Sequence, residues 1–147
     1  MEISDSTRRF LEKWKEFTKP GRSRYPVLIV IPNNRNMYNI SVMDEICSIT
    51  DFELFDFQKV YQKRLHLFIP RNSIRTEIVT NAAKQPVIFI NIEFFYNKWT
   101  EEERIAFLKD IIRQDGHKGI VLIMYCEEEF LSVIEIPENS RGVIWNP

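Results

Sequence analysis

Glycine is scarce in this chain, with four among 147 residues. A backbone that curls around phosphate needs glycine-rich turns, so the scarcity weighs against a glycine-rich nucleotide loop. Cysteine and histidine are equally thin. Cys47 and Cys126 stand far apart and form no CxxC pair, and His66 and His117 are the only imidazoles. No zinc constellation can be assembled from them at the usual spacings, and no other metal or cofactor is implied. Two such thiols read as buried residues of a reducing compartment. No apolar run approaches the ~20 residues that span a bilayer. The N-terminus, Met-Glu-Ile-Ser-Asp, has an acidic, broken pattern without a signal core. The expectation is a cytoplasmic protein with no membrane partner.

What the chain has is apolar and aromatic residues in quantity. Hydrophobic residues are 44% and charged residues 28%, which points to a globular domain, and eleven phenylalanines can fill its interior or supply a sticky surface. The length suits one domain over 1–147, with an N-terminal helix in 1–20 and a sheet core in 25–147. Net charge is −1, unevenly spread: residues 1–75 carry 13 Lys/Arg against 9 Asp/Glu, and residues 76–147 carry 7 against 12. If the fold segregates the halves, one side is basic and the other acidic, which suits packing in an assembly better than free-standing nucleic-acid binding.

Periodicity supplies the elements. Phe10, Leu11, Trp14 and Phe17 recur on one face of a helix over Ser6 to Phe17, which Lys19-Pro20-Gly21 stops. Tyr25 to Ile31 is a buried strand, and Pro32-Asn33-Asn34-Arg35-Asn36 is a loop by composition. Ser41 to Ile49 reads as a short helix with Ser41 as N-cap and Asp44 and Glu45 set against its dipole. Phe52 to Asp56 is a second strand, Gln58 to His66 a basic helix, and Ser73 to Lys84 a further helix. The run Gln85-Pro-Val-Ile-Phe-Ile-Asn-Ile-Glu93 is the most informative piece. Its apolar stretch suits a strand covered on both faces, with Asn91 and Glu93 at the C-terminal end where open α/β sheets place ligands. Thr100 and Glu103 form a capping box that starts an amphipathic helix through Ile112, closed near Gly116. Gly119 to Tyr125 is a fourth strand, Glu127 to Leu131 can hold a helical turn, and Arg141 to Trp145 is a fifth strand. Strands alternating with helices imply an α/β fold of three layers, with a mostly parallel sheet of about five strands.

The order of elements resembles a compact, Rossmann-like P-loop NTPase core. The segment Pro-Val-Ile-Phe-Ile-Asn-Ile-Glu-Phe-Phe, with its Asn91-Ile-Glu93 end, is similar to that of the small P-loop accessory proteins of bacteriophage-exclusion (BREX) defence systems. The likeness covers residues 25–145 in order of elements and the third strand in sequence. The glycines and lysine of a phosphate loop are absent after the first strand, and Asn91 stands where a magnesium-holding Asp belongs. The resemblance therefore implies a degenerate member that does not hydrolyse nucleotide. It would serve as an accessory or scaffold subunit in a multiprotein bacterial system such as antiphage defence, bound to a protein partner or to further copies of itself.

The residues offer three candidate surfaces. Asn33, Asn34, Arg35, Asn36, Asn91 and Glu93 would meet a ligand at the strand ends. Lys59, Lys63, Arg64, Arg71 and Arg75 accumulate with no acid between Asp56 and Glu77, and Lys59, Lys63 and Arg64 could share a helical face for nucleic acid. A pI near 6.2 disfavours dedicated nucleic-acid binding. Trp14 and Phe17, with the acidic Glu127, Glu128 and Glu129, would form a protein interface. A nuclease reading of Asp56-Phe-Gln58-Lys59 fails on a strand, where Gln58 and Lys59 would point to opposite faces.

Overall fold

The computed structural model describes residues 3–18, 26–32, 37–125, 143–145 and 147, without the side chains of Phe17, Val143 and Ile144. Its elements run α1 (Asp5–Phe17), β1 (Val27–Val30), α2 (Ile40–Ile49), β2 (Glu53–Asp56), α3 (Phe57–Val60), α4 (Arg71–Ala82), β3 (Val87–Ile90), α5 (Glu93–Tyr96), α6 (Glu101–Ile111), β4 (Ile120–Ile123) and β5 (Val143–Trp145). The strands lie in the order β2-β3-β4-β1-β5, and every neighbouring pair is parallel.

Strand alternation builds two apolar layers from one sheet. Val27, Ile29, Val87, Phe89, Ile120 and Leu122 face one way, onto Phe57, Ile74, Ile78, Phe95, Phe107 and Leu108. Leu28, Val30, Ile88, Val121 and Ile123 face the other way, onto Phe10 of α1 and Val42, Met43 and Ile46 of α2. The result is an α/β architecture with helices on both faces. The swap of faces follows from the strand order. The β1–β2 connection runs one way along the sheet through α2, and the two that follow run back through α3–α4 and α5–α6. Keeping the same crossover hand after reversing direction requires the opposite face.

The phenylalanines largely go inside. Phe10, Phe52, Phe57, Phe89, Phe95 and Phe107 are buried, and Trp99 packs tilted against Phe107 while its indole N–H donates to the Ile69 carbonyl (2.8 Å). Trp14 sits edge-on to Phe52, 5.1 Å between ring centroids, so α1 spends that ring on its own core. Gly119 makes room for it. A Cβ there would stand 3.0 Å from the indole and 3.1 Å from Pro86, and the φ of +153° itself favours glycine.

Several sequence expectations need correction. The cap of α2 is Asn39, whose carboxamide oxygen accepts from the Val42 amide (3.0 Å). Ser41 lies inside the helix, and no acid occupies its first turn. Glu45 instead reaches α1, where its Oε1 accepts from the Ser4 amide (2.9 Å). The expected helix over Gln58 to His66 shrinks to the single turn Phe57–Val60 followed by turns. The fourth helix starts at Arg71, ahead of Ser73, because Pro70 supplies the extended residue before it. The helix begun by Thr100 ends at Ile111, short of Gly116, though its capping box is present as expected. In the sheet the two halves of the chain interleave: β1 and β2, from the first half, flank β3 and β4 from the second.

Candidate functional site

A parallel sheet turns all its strand C-termini to one edge, and here the edge is built from short, specific local signals. β2 ends at Asp56, whose Oδ1 accepts from the Gln58 amide (2.9 Å) and so caps α3. That cap reverses the chain within one residue of the strand, which is why Gln58 and Lys59 lie on a helical turn and the strand-based argument about their faces does not apply. β3 ends at Ile90, and Asn91 follows with φ of +63°. Asparagine tolerates this left-handed conformation better than most residues. The kink turns the Asn91 carboxamide sideways across the sheet, where its Nδ2 donates to Asp56 Oδ1 (2.8 Å). Two strand ends are thereby tied together by an amide–carboxylate bond.

Glu93 is not a strand-end carboxylate. It is the first residue of α5, partly buried, and Lys98 does not pair with it; the Lys98 ammonium donates to the Leu65 and Leu67 carbonyls instead. On the β1 side, Tyr38 is 5% exposed, and its hydroxyl has no hydrogen-bond partner among the described residues. Burial pushes this phenol up to about 12, with Arg9 opposing the shift. The Tyr125 hydroxyl, just past β4, lies 3.5 Å from the Tyr38 carbonyl oxygen.

Between these residues lie two adjoining hollows. One, about 380 Å³, is walled by Tyr38, Ile40, Met43, Ile90, Ile123 and Tyr125, with Asp56, Lys59 and Asn91 as its polar members. The other, about 410 Å³, is bounded by Asn91, Glu93, Phe94, Asn97 and Tyr125. Asn91 and Tyr125 belong to both. Ile40 (52%) and Phe94 (39%) stand exposed at the margins, and Val60 (49%) follows Lys59 in the chain. The first hollow is walled mainly by apolar and aromatic side chains and the second mainly by polar ones, and Asp56 already accepts two hydrogen bonds. Among the described residues no three His, Cys, Asp or Glu side chains converge to hold a metal ion.

Of the candidates read from sequence, Asn91, Glu93 and Lys59 come together at this edge. Asn33, Asn34, Arg35 and Asn36 lie outside the described residues, as do Glu127, Glu128 and Glu129. Arg71 and Arg75 both approach Asp110 Oδ2, at 3.3 and 3.5 Å, and the Arg64 guanidinium lies 4.4 Å from the Tyr61 ring centre. Lys59 is in α3, which ends at Val60, and the exposed Lys63 and Arg64 follow in turns, so the three do not share one helix. Sequence reasoning missed Tyr38 and Tyr125 as site residues, and it weighed Asp56 only in the nuclease reading. Of the three, Asp56 carried a signal, an acid between an apolar strand and a new helical turn. None of the described helices is long and apolar enough to cross a membrane. No protein-family model matches the chain, and no curated protein is detectably similar to it in sequence.

Proposed function

We propose that this chain is a non-hydrolytic, Rossmann-like and P-loop-related subunit that acts by binding another protein at the C-terminal edge of its sheet. The observation that supports it most is the character of that edge. One hollow sets Ile40, Met43, Ile90, Ile123 and two tyrosines around Asp56, Lys59 and Asn91, the other sets Phe94 and Tyr125 beside Asn91, Glu93 and Asn97, and Ile40 and Phe94 are open to solvent. Exposed apolar groups gathered around a concave polar centre suit an inserted side chain of a partner. The acid best placed for chemistry, Asp56, is held by Asn91 and the α3 amide. The setting we propose is an accessory role in a multiprotein bacterial assembly, of which antiphage defence is the instance suggested by the third-strand resemblance.

The test has two arms. Thermal melts with ATP, GTP, their magnesium complexes and short DNA or RNA are expected to show no concentration-dependent rise. Linkage would demand such a rise, about 2.7 kcal/mol of stabilisation at a hundredfold excess over Kd, if one were bound. The tagged chain is expected to retain a specific protein from its native host, and the pair Ile40→Ser and Phe94→Ser to release it without lowering the melting temperature. A clear nucleotide-dependent shift, or retention unchanged by the pair, overturns the proposal.

A further inference from the structure

The connection from α3 to α4 is anchored to the core from within and carries cations and apolar side chains outside. Tyr61 is buried, and Leu65 and Ile69 pack against the same apolar layer. The Tyr61 hydroxyl donates to Glu77 (3.1 Å), the Trp99 indole to the Ile69 carbonyl (2.8 Å), and the Lys98 ammonium to the Leu65 and Leu67 carbonyls. Two turns close inside the loop, from the Arg64 amide to Tyr61 (2.7 Å) and from the Leu67 amide to Arg64 (3.0 Å). An anchor at every fourth residue leaves the residues between facing outward. Val60, Leu67 (43%) and Phe68 (55%) stand exposed, and so do Lys63, Arg64 and His66.

The charge on this loop is not neutralised by its neighbours. No Asp or Glu lies between Asp56 and Glu77 in the chain. The acids packed around it are engaged. Glu77 is bonded by Tyr61 and Asn81, and Asp110 is shared by Arg71 and Arg75. Asp56 is bonded by Asn91 and the Gln58 amide, with Lys59 on the wall of the same hollow. Among the described residues Lys63, Arg64 and Lys98 form no ion pair. The surface that complements them has carboxylates beside a bulky apolar side chain.

The basic strip is also short. Glu93, and the exposed Glu101 and Glu102 in the first turn of α6, lie in the connection that leaves β3, at the same end of the sheet. A phosphate backbone or an anionic bilayer carries charge over a wider span and would meet those acids too, whereas a short peptide segment need not. A net charge of −1 gives the chain no long-range pull on a polyanion.

We propose that the loop from Val60 to Phe68 docks a short acidic segment of a partner protein, with carboxylates on Lys63, Arg64 and Lys98 and an apolar side chain on Leu67 and Phe68. Its anchors order the loop beforehand, so docking costs little entropy on this side. The inference rests on the protein-binding reading but uses a loop rather than the hollows, so the two can fail separately.

The probe is a fluorescein-labelled peptide of glutamates around two phenylalanines, titrated into the full chain by fluorescence polarisation. One control peptide has lysine for glutamate, another serine for phenylalanine. A labelled oligothymidylate and phosphatidylserine vesicles test the other anionic surfaces. Only the glutamate–phenylalanine peptide is expected to bind, more weakly as salt rises. Phe68→Ser should weaken binding about tenfold, and Lys63→Glu with Arg64→Glu should abolish it. If loss of the Arg64 contact with Tyr61 unfolds that variant, Lys63→Glu with Phe68→Ser takes its place with the same expected loss. Absent binding, equal binding of either control peptide, comparable binding of the oligonucleotide or the vesicles, or indifference to every folded variant overturns the proposal. The Ile40→Ser and Phe94→Ser pair should leave the peptide bound; its release would place the peptide in the hollows and overturn the proposal too. A host protein released by that pair, with no binding of the peptide, keeps the strand-end reading and sinks this one alone.

Discussion

At the scale of single residues, Asn91 has the most to lose. Its left-handed backbone costs an ordinary side chain ~1–2 kcal/mol, and its carboxamide bonds the carboxylate that caps α3. Asn91→Ala forfeits both and should lower stability by about 2 kcal/mol. Asn91→Gly forfeits only the bond and should lower it less. Urea unfolding of the two variants checks the order; an alanine variant at least as stable as the glycine variant would rule out the conformational part. A second residue-scale expectation concerns pH. Burial holds the His117 imidazole below its usual range; its Nε2 lies 2.8 Å from the Gln114 carbonyl, and its buried Nδ1 has no partner among the described residues. The unfolded chain therefore takes up this proton first. Its stability is complete above ~6.5 and is lost as pH falls from there through the depressed folded value. Glu45 is lowered by the hydroxyl of Thr7 and then by Ser4, so its contribution is present above ~4.3 and disappears at lower pH. Melting temperature against pH should thus fall in two limbs. His117→Gln should flatten the upper limb and Glu45→Gln the lower, each leaving the other in place.

At the scale of elements, the Trp14–Gly119 contact joins α1 to the start of β4. Gly119→Ala pushes a methyl against the indole and Pro86 at an unfavourable φ, and should cost ~1–3 kcal/mol in chemical denaturation. A neutral result would mean that α1 shifts freely over the sheet. Elements differ in how plainly the sequence announced them. β1, β3 and β4 were legible because a strand buried on both faces has no polar alternation to dilute it, and the Thr100–Glu103 box was legible because its chemistry is local. The cap of α2 was not, since Asn39 and Ser41 are both competent caps and only tertiary placement chooses. The region after Phe57 misled because its Lys and Arg residues are good helix formers, whereas Tyr61 and Leu65 turn inward toward the α3–α6 layer and the Leu65 and Leu67 carbonyls bond Lys98. The left-handed turn at Asn91 leaves no mark beyond the residue type itself, so the pairing with Asp56, 35 positions away, was invisible.

At the scale of the whole molecule, the charge imbalance between the halves of the chain does not translate into two sides of the sheet. Strand order is a non-local property, and here it threads β3 and β4 between β1 and β2. Arg71 and Arg75 thus meet Asp110 of the other half, in ion pairs exposed enough to add little stability. The same threading governs how the chain can be made. Among the described residues β1 pairs with β4 and β5, and β2 with β3, so β1 and β2, consecutive in the chain, have no ladder between them. Val27 must wait for Ile120, and the sheet's centre cannot close until β4 has been made. Long sequence separation slows such closure and leaves apolar strands uncovered meanwhile. Nascent chains halted before β4 should therefore be protease-sensitive and held by chaperones, making the birth of this protein a late, all-at-once event rather than a stepwise one.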